Sequence, residues 1–252
     1  MAIPAKTIDE VLMELDLIID ETVADNNFLG IFAYVYRRTT AQIKQAIHEN
    51  LFADNVRMEL MDVAFANLYL TAYQQYRAGL PCSSSWLAAF NAKNDRVTIM
   101  QHLMLGMNAH INLDLGIAAA TIAAGDKLPL LKTDFMKVNQ ILNQLVNEMQ
   151  SRVSKVSRAM FLIDLAGKNT DELIVNFSMV KSREQSWNLA NVLAILPDHD
   201  QKPVIHLADE TITALASVIK NPPGKFLKMI LKIVAYFEEK NVKTIIMKLR
   251  EV

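Results

Sequence analysis

From Val97 to Ala124 the chain has no lysine, arginine or glutamate and a single acid, Asp114. A helix that is apolar on every side has no face to offer water, so other elements must wrap it. Crossing a lipid bilayer is the other way to bury such a segment. Gln101, His102, Asn108, His110, Asn112 and Asp114 interrupt it, and placing them in lipid is costly, so no transmembrane span is expected. The segment is therefore read as the buried central helix, about 95–124, of a larger helical body.

The rest of the sequence supplies the wrapping. Seven glycines and seven prolines among 252 residues leave little punctuation, which favours long helices over short strands and turns. A 52% hydrophobic composition is ample for a large core. The expectation is an all-α, single-domain multi-helix bundle spanning 1–252, with about nine or ten helices.

Boundaries follow from capping and breaker residues. Thr7 and Glu10 form a capping box ahead of the stripe Ile8, Val11, Leu12, Leu15, Ile18 and Ile19. A second helix is predicted from Leu29 to His48, and a third from after Asp54-Asn55 to Arg77, stopped by Gly79-Leu80-Pro81. A short helix covers Trp86 to Ala92, and the central helix begins near Asp95. Thr133 is read as the cap of a long sixth helix carrying Phe135, Val138, Ile141, Leu142, Leu145 and Met149. Phe161 to Ala166 reads as apolar helix. Asp171 to Met179 alternates like a strand, yet its helical neighbours favour a helix. Ser182 opens a helix that ends at Pro197. The stretch Asp198 to Pro203 reads as a polar loop before helices at 205–220 and 224–239.

Charge and cysteine content bound the function classes. Twenty-six basic and 27 acidic residues give no electrostatic footprint for nucleic acid. The single cysteine, Cys82, excludes an intrachain disulfide, and the acidic amphipathic start is unlike a secretory signal. A cytoplasmic location is the expectation. The segment from Lys220 to Arg250 leans basic, as a solvated amphipathic face or a surface for anionic partners.

The polar residues of the central helix are the candidate site. His110 and Asp114 are four apart and share one face. His102 lies about 80° around the axis if the helix is regular, with Asn108 and Asn112 on other faces. A shielded carboxylate must be paired, bonded or neutral. A neutral imidazole and a carboxylate one turn apart can also hold one divalent metal ion, which makes His110 and Asp114 candidate metal ligands. Asp62, aligned with Ala66, Tyr69 and Tyr73 on the third helix, is a further carboxylate for the same pocket. Arg183 and Trp187, one turn apart, either line it or stack on each other. The ligand candidates are thus His102, Asn108, His110, Asp114, Asp62, Arg183 and Trp187. They define either a pocket for a small molecule or metal, with hydrolytic chemistry in reach, or a non-catalytic scaffold whose network only fixes packing.

Two resemblances bear on this. The runs Phe28-Leu29-Gly30-Ile31-Phe32-Ala33, Asp62 to Leu70 and Leu105 to Leu115 resemble an uncharacterised family of bacterial all-helical proteins, which implies the fold and the unusual central helix but no activity. Over about ten residues, Leu105-Gly106 followed by His110-x-x-x-Asp114 is similar to the metal-binding helix of the zinc-dependent phospholipase C and P1-type nuclease group. That similarity implies His110 and Asp114 as ligands of a water-activating metal. The chain lacks the Gln-Pro-x-His that follows the Asp in that motif, and it has only five histidines.

Overall fold

The computed structural model describes residues 3–138, 141 and 179–250. Among them there are helices and turns and no strand. In chain order the helices are α1 (Ile8–Ala24), α2 (Leu29–His48), α3 (Asn55–Arg77), α4 (Ser84–Asn91), α5 (Ile99–Ala109), α6 (Leu115–Ile122), α7 (128–138), α8 (Met179–Ile195), α9 (Asp198–Lys220), α10 (Lys225–Phe237) and α11 (Val242–Arg250). The expected all-α bundle is what the chain forms. The predicted helical segments at Leu142–Met149, Phe161–Ala166 and Asp171–Met179 lie outside the described residues, apart from Met179 itself.

α5 and α6 are one continuous rod joined by a single π turn, His110–Asp114. There the Leu115 amide donates to the His110 carbonyl, one residue further back than in an α-helix. α2, α3, α4, α8 and α9 all pack on this rod, so the apolar 97–124 segment is wrapped as its composition requires. Leu103, Leu105, Ala109, Leu113, Ala118 and Ala119 are all buried along it.

Two glycines on the rod permit close approach. A Cβ at Gly106 would sit 2.4 Å from the Phe32 ring, and one at Gly116 would sit 2.8 Å from the Ser186 carbonyl oxygen. Each glycine costs about 1 kcal/mol of helix propensity relative to alanine, and the packing of α2 and α8 requires both.

Several helix starts are capped from far along the chain. Asp134 on α7 accepts from the Ala53 and Asp54 amides at 2.7 and 3.0 Å, just before α3. Asp209 on α9 accepts from Ser84 and Ser85 at 2.7 and 2.9 Å, in the first turn of α4. Glu238, after α10, accepts from the Ile99 amide at 2.8 Å, opening α5. In each case a carboxylate satisfies amides that have no partner inside the helix and complements the positive end of its dipole. Gln101 works at the opposite end, donating to the Ile219 carbonyl at the C-terminus of α9 (2.8 Å).

Some boundaries differ from expectation, each for a local reason. The central helix starts at Ile99, not near Asp95, because Thr98 and Gln101 form a full capping box. At Thr7 the box is altered: the Thr7 hydroxyl accepts from Glu10, but the Glu10 carboxylate turns back to the Lys6 amide. Thr133 is not a cap, since the helix already runs from residue 128. Likewise residues 179–181 are already helical, so Ser182 does not open α8. The stretch Asp198 to Pro203 is the start of α9, not a loop. Asp198 and Asp200 suit the first turn of a helix, and Pro203 removes only one amide near that end.

Candidate functional site

α2, α3 and the rod each present one turn-spaced row to a common interior point. α2 contributes Phe32, Tyr36 and Thr40. α3 contributes Asp62, Phe65 and Tyr69, and α4 adds Trp86. The π turn places His110 among them. Its imidazole stacks on Phe65, with ring centroids 3.6 Å apart and planes 7° from parallel. The Tyr36 ring stands edge-on to it at 4.4 Å, and Phe32, Tyr69 and Trp86 complete the wall at about 6 Å.

One side of His110 is bonded. Its Nδ1 lies 3.0 Å from Asp114 Oδ2, and the same oxygen accepts the Trp86 indole N–H at 2.8 Å. Burial pushes the Asp114 carboxyl well up, opposed by the Trp86 donor, and pushes His110 well down. Both directions favour a neutral pair. A protonated Asp114 donates to Nδ1, which leaves the proton of the neutral ring on Nε2.

The other side of His110 is not bonded. Nε2 is buried without a hydrogen-bond partner, and so is Asp62 Oδ2, while the buried Tyr36 hydroxyl and Thr40 Oγ1 have none but each other. Burial, and then the charge of Glu59, pushes Asp62 up to about 7. Tyr36 is held well above the usual phenol range, first by burial and then by the Asp62 charge, with the Thr40 hydroxyl working in the opposite direction. Asp62 and Thr40 therefore both act on the Tyr36 hydroxyl, whose ring touches His110. Buried polar groups are nearly always fully bonded, so four with so few partners around one ring system call for an explanation.

The π turn contributes too. Its widening frees backbone groups, and the Ile111 carbonyl is met by the Ser186 hydroxyl of α8 at 2.8 Å. Asn108 and Asn112 bond each other at 2.9 Å, and Asn108 donates to the Ile212 carbonyl of α9 at 2.9 Å. That pair ties the rod to α9.

The remaining predicted residues are placed elsewhere. The His102 ring lies tilted against Phe28 with centroids 5.0 Å apart, and burial lowers its pKa to about 4. Arg183 and Trp187 do not stack on each other. Both lie on Phe135, with the guanidinium 4.4 Å over its ring and the indole centroid at 4.9 Å. Arg183 also donates to the Phe135 carbonyl, and burial lowers its pKa to about 9. Thus Asp62 and His110 come together around Tyr36, Asp114 supports His110 from behind, and Arg183 and Trp187 form a separate α7–α8 contact.

The residues do not fit a metal centre. His110 Nδ1 and Asp114 Oδ2 face each other instead of a shared third point. Among the described residues no three His, Cys, Asp or Glu side chains gather as a metal-holding group. Sequence reasoning missed Tyr36, Thr40, Phe65 and Trp86 as members of the site. The row Phe32, Tyr36, Thr40, four apart on one face and ending in two hydroxyls, was the available signal.

Fold and site together define an all-helical protein with a half-bonded His-Asp pair sealed in an aromatic box. The chain belongs to a family of unknown function, DUF5995, whose model matches residues 8–222. No curated protein and no solved structure matches it. The match spans every residue of the box and ends before α10.

Proposed function

We propose that the point shared by Tyr36, Thr40, Asp62 and His110 is a binding site for a small uncharged molecule bearing a carbonyl or hydroxyl oxygen. One observation carries this reading: buried polar atoms of His110, Asp62, Tyr36 and Thr40 around a single aromatic box, with no partners beyond the Tyr36–Thr40 pair itself. The neutral pair presents His110 Nε2–H as a donor to an incoming oxygen. The Tyr36 and Thr40 hydroxyls can donate or accept, and Asp62 is neutral below about pH 7 and so adds a donor. The rings of Phe32, Phe65 and Trp86 would enclose the apolar part of such a molecule. Hydrolytic chemistry at this point would use His110 and Asp62 as the proton-handling groups. With one cysteine the chain relies on no intrachain disulfide, which is compatible with the cytoplasmic setting this reading assumes. No described helix is long and apolar enough to cross a membrane.

A second reading has its own support. His110, Asp114 and Asp62 are each less than a tenth exposed, as expected of a scaffold whose network fixes α2, α3 and the rod without binding anything. Ligand-observed NMR with a panel of small amides, ketones and alcohols separates the two. Binding to the wild type that is lost in His110→Ala and Asp62→Asn supports the site. No binding, together with variants that change only stability, leaves the scaffold reading.

A further inference from the structure

α10 is amphipathic in an unusual sense. Its inner side, Leu227, Ile230, Leu231 and Val234, is buried, yet its outer side is also largely apolar. Phe226, Met229, Ile233, Tyr236 and Phe237 are exposed by 59, 51, 37, 74 and 67%. Laid on a helix of 3.6 residues per turn, these five fill one arc of roughly 100°. Lys225, Lys228 and Lys232, all exposed, occupy the adjoining arc. Between Lys225 and Phe237 there is no acid. The three lysines with Met229, Ile233, Tyr236 and Phe237 line an open groove of about 470 Å³.

We propose that this face is a docking surface for an anionic lipid bilayer. Exposed apolar patches of this kind mark interaction sites, and here the arrangement selects among occupants. An apolar arc rich in aromatics and methionine, flanked along its length by lysines, matches a helix lying in the headgroup region. Its rings enter the acyl boundary while the ammonium groups stay with the lipid phosphates. A second copy of the chain fits poorly. Two-fold pairing of this face brings six lysines into one interface, and the face carries no acid to pair them. α10 lies beyond the residues matched by the family model, so the surface is separate from the box around His110 and does not depend on the function proposed for it.

Co-sedimentation of the full chain with phosphatidylserine–phosphatidylcholine vesicles, against pure phosphatidylcholine vesicles, tests this. The chain should bind the mixed vesicles, release them as salt rises, and leave the neutral ones largely unbound. Each lysine contributes about a five-fold factor in affinity near such a surface. Lys225→Glu/Lys228→Glu/Lys232→Glu should therefore abolish binding, and Phe226→Ser/Met229→Ser should weaken it while leaving its salt dependence in place. All five positions are exposed, and an unchanged circular dichroism spectrum certifies folding. A tryptophan placed by Tyr236→Trp should shift its emission to shorter wavelength on the mixed vesicles. Failure to bind them at low salt overturns the proposal, and so does binding that is indifferent to the triple substitution. A concentration-dependent dimer that Phe226→Ser/Met229→Ser dissociates would overturn it in favour of self-association.

Discussion

Asp209 and Asp62 are both buried acids in long helices, and they stand in opposite circumstances. Asp209 accepts two backbone amides at the start of α4. Asp62 keeps an oxygen without a partner and is pushed up to about 7. Asp209, like Asp134 and Glu238, is held in the interior by what it receives from the backbone. Asp62 is held there by the elements around it, at a cost those elements bear. The comparison teaches that burial alone does not distinguish a structural carboxylate from one reserved for something else, whereas the inventory of its donors does.

Asp209→Ala would test the comparison most strongly. It leaves two amides of α4 unsatisfied, and the expected loss is about 3 kcal/mol in urea unfolding. Asp62→Asn measured at pH 8 should lie within about 1 kcal/mol of wild type or be stabilising, since it removes a buried group that is ionising. Equal losses in the two variants would end the distinction.

A smaller effect sharpens it inside the box. Trp86→Phe keeps an aromatic ring of smaller size but removes the donor to Asp114 and some buried volume, and should cost at least about 2 kcal/mol. Combined with His110→Phe, the loss should fall short of additive by about 1 kcal/mol, because the indole N–H and the imidazole Nδ1 both bond the same carboxyl oxygen. Strict additivity would show that the Trp86–Asp114–His110 chain is not a unit.

The smallest effect per step is a pH slope of at most about 1.4 kcal/mol per unit for each group. Asp62 is raised from 3.8 to about 7. Between those values the unfolded chain has lost the proton that the folded chain keeps, so its contribution to stability declines as pH rises. His102 is lowered from 6.5 to about 4. Between those values the unfolded chain binds the extra proton, so its contribution is lost as pH falls. Wild type shows the two slopes opposed. Asp62→Asn should leave stability climbing with pH between about 4 and 6.5, and His102→Gln should leave it falling. Unfolding at a series of pH values reads both, and identical profiles in the two variants would contradict the assignments.

How much of this was legible in the sequence depends on range. α2 and α3 fall where their apolar rows and flanking residues place them, because those signals are local. The proximity of His110 and Asp114 was legible from a four-residue spacing. The Trp86 donor, the Phe65 stack and the Tyr36 contact were not, since each joins helices whose packing angle no local pattern states. The π turn was also hidden. Its residues, His110 to Asp114, have no composition that distinguishes them from an α-helical turn, and the extra residue is stabilised from outside, by Ser186. The polarity of Asp198 to Pro203 has the pattern of a loop, but in the folded chain it serves a helix start.

The long-range caps also bear on the order in which the molecule can be assembled. Asp134, Asp209 and Glu238 lie 81, 125 and 139 residues beyond the amides they receive. While the chain is being synthesised from its N-terminus, α3, α4 and α5 emerge with those starts unsatisfied, and the acids that complete them arrive later. Closing such contacts pays loop entropy before it returns anything. The early helices are therefore expected to stay loosely associated until α9 and the Glu238 turn dock, and that docking fixes the aromatic box in its final form.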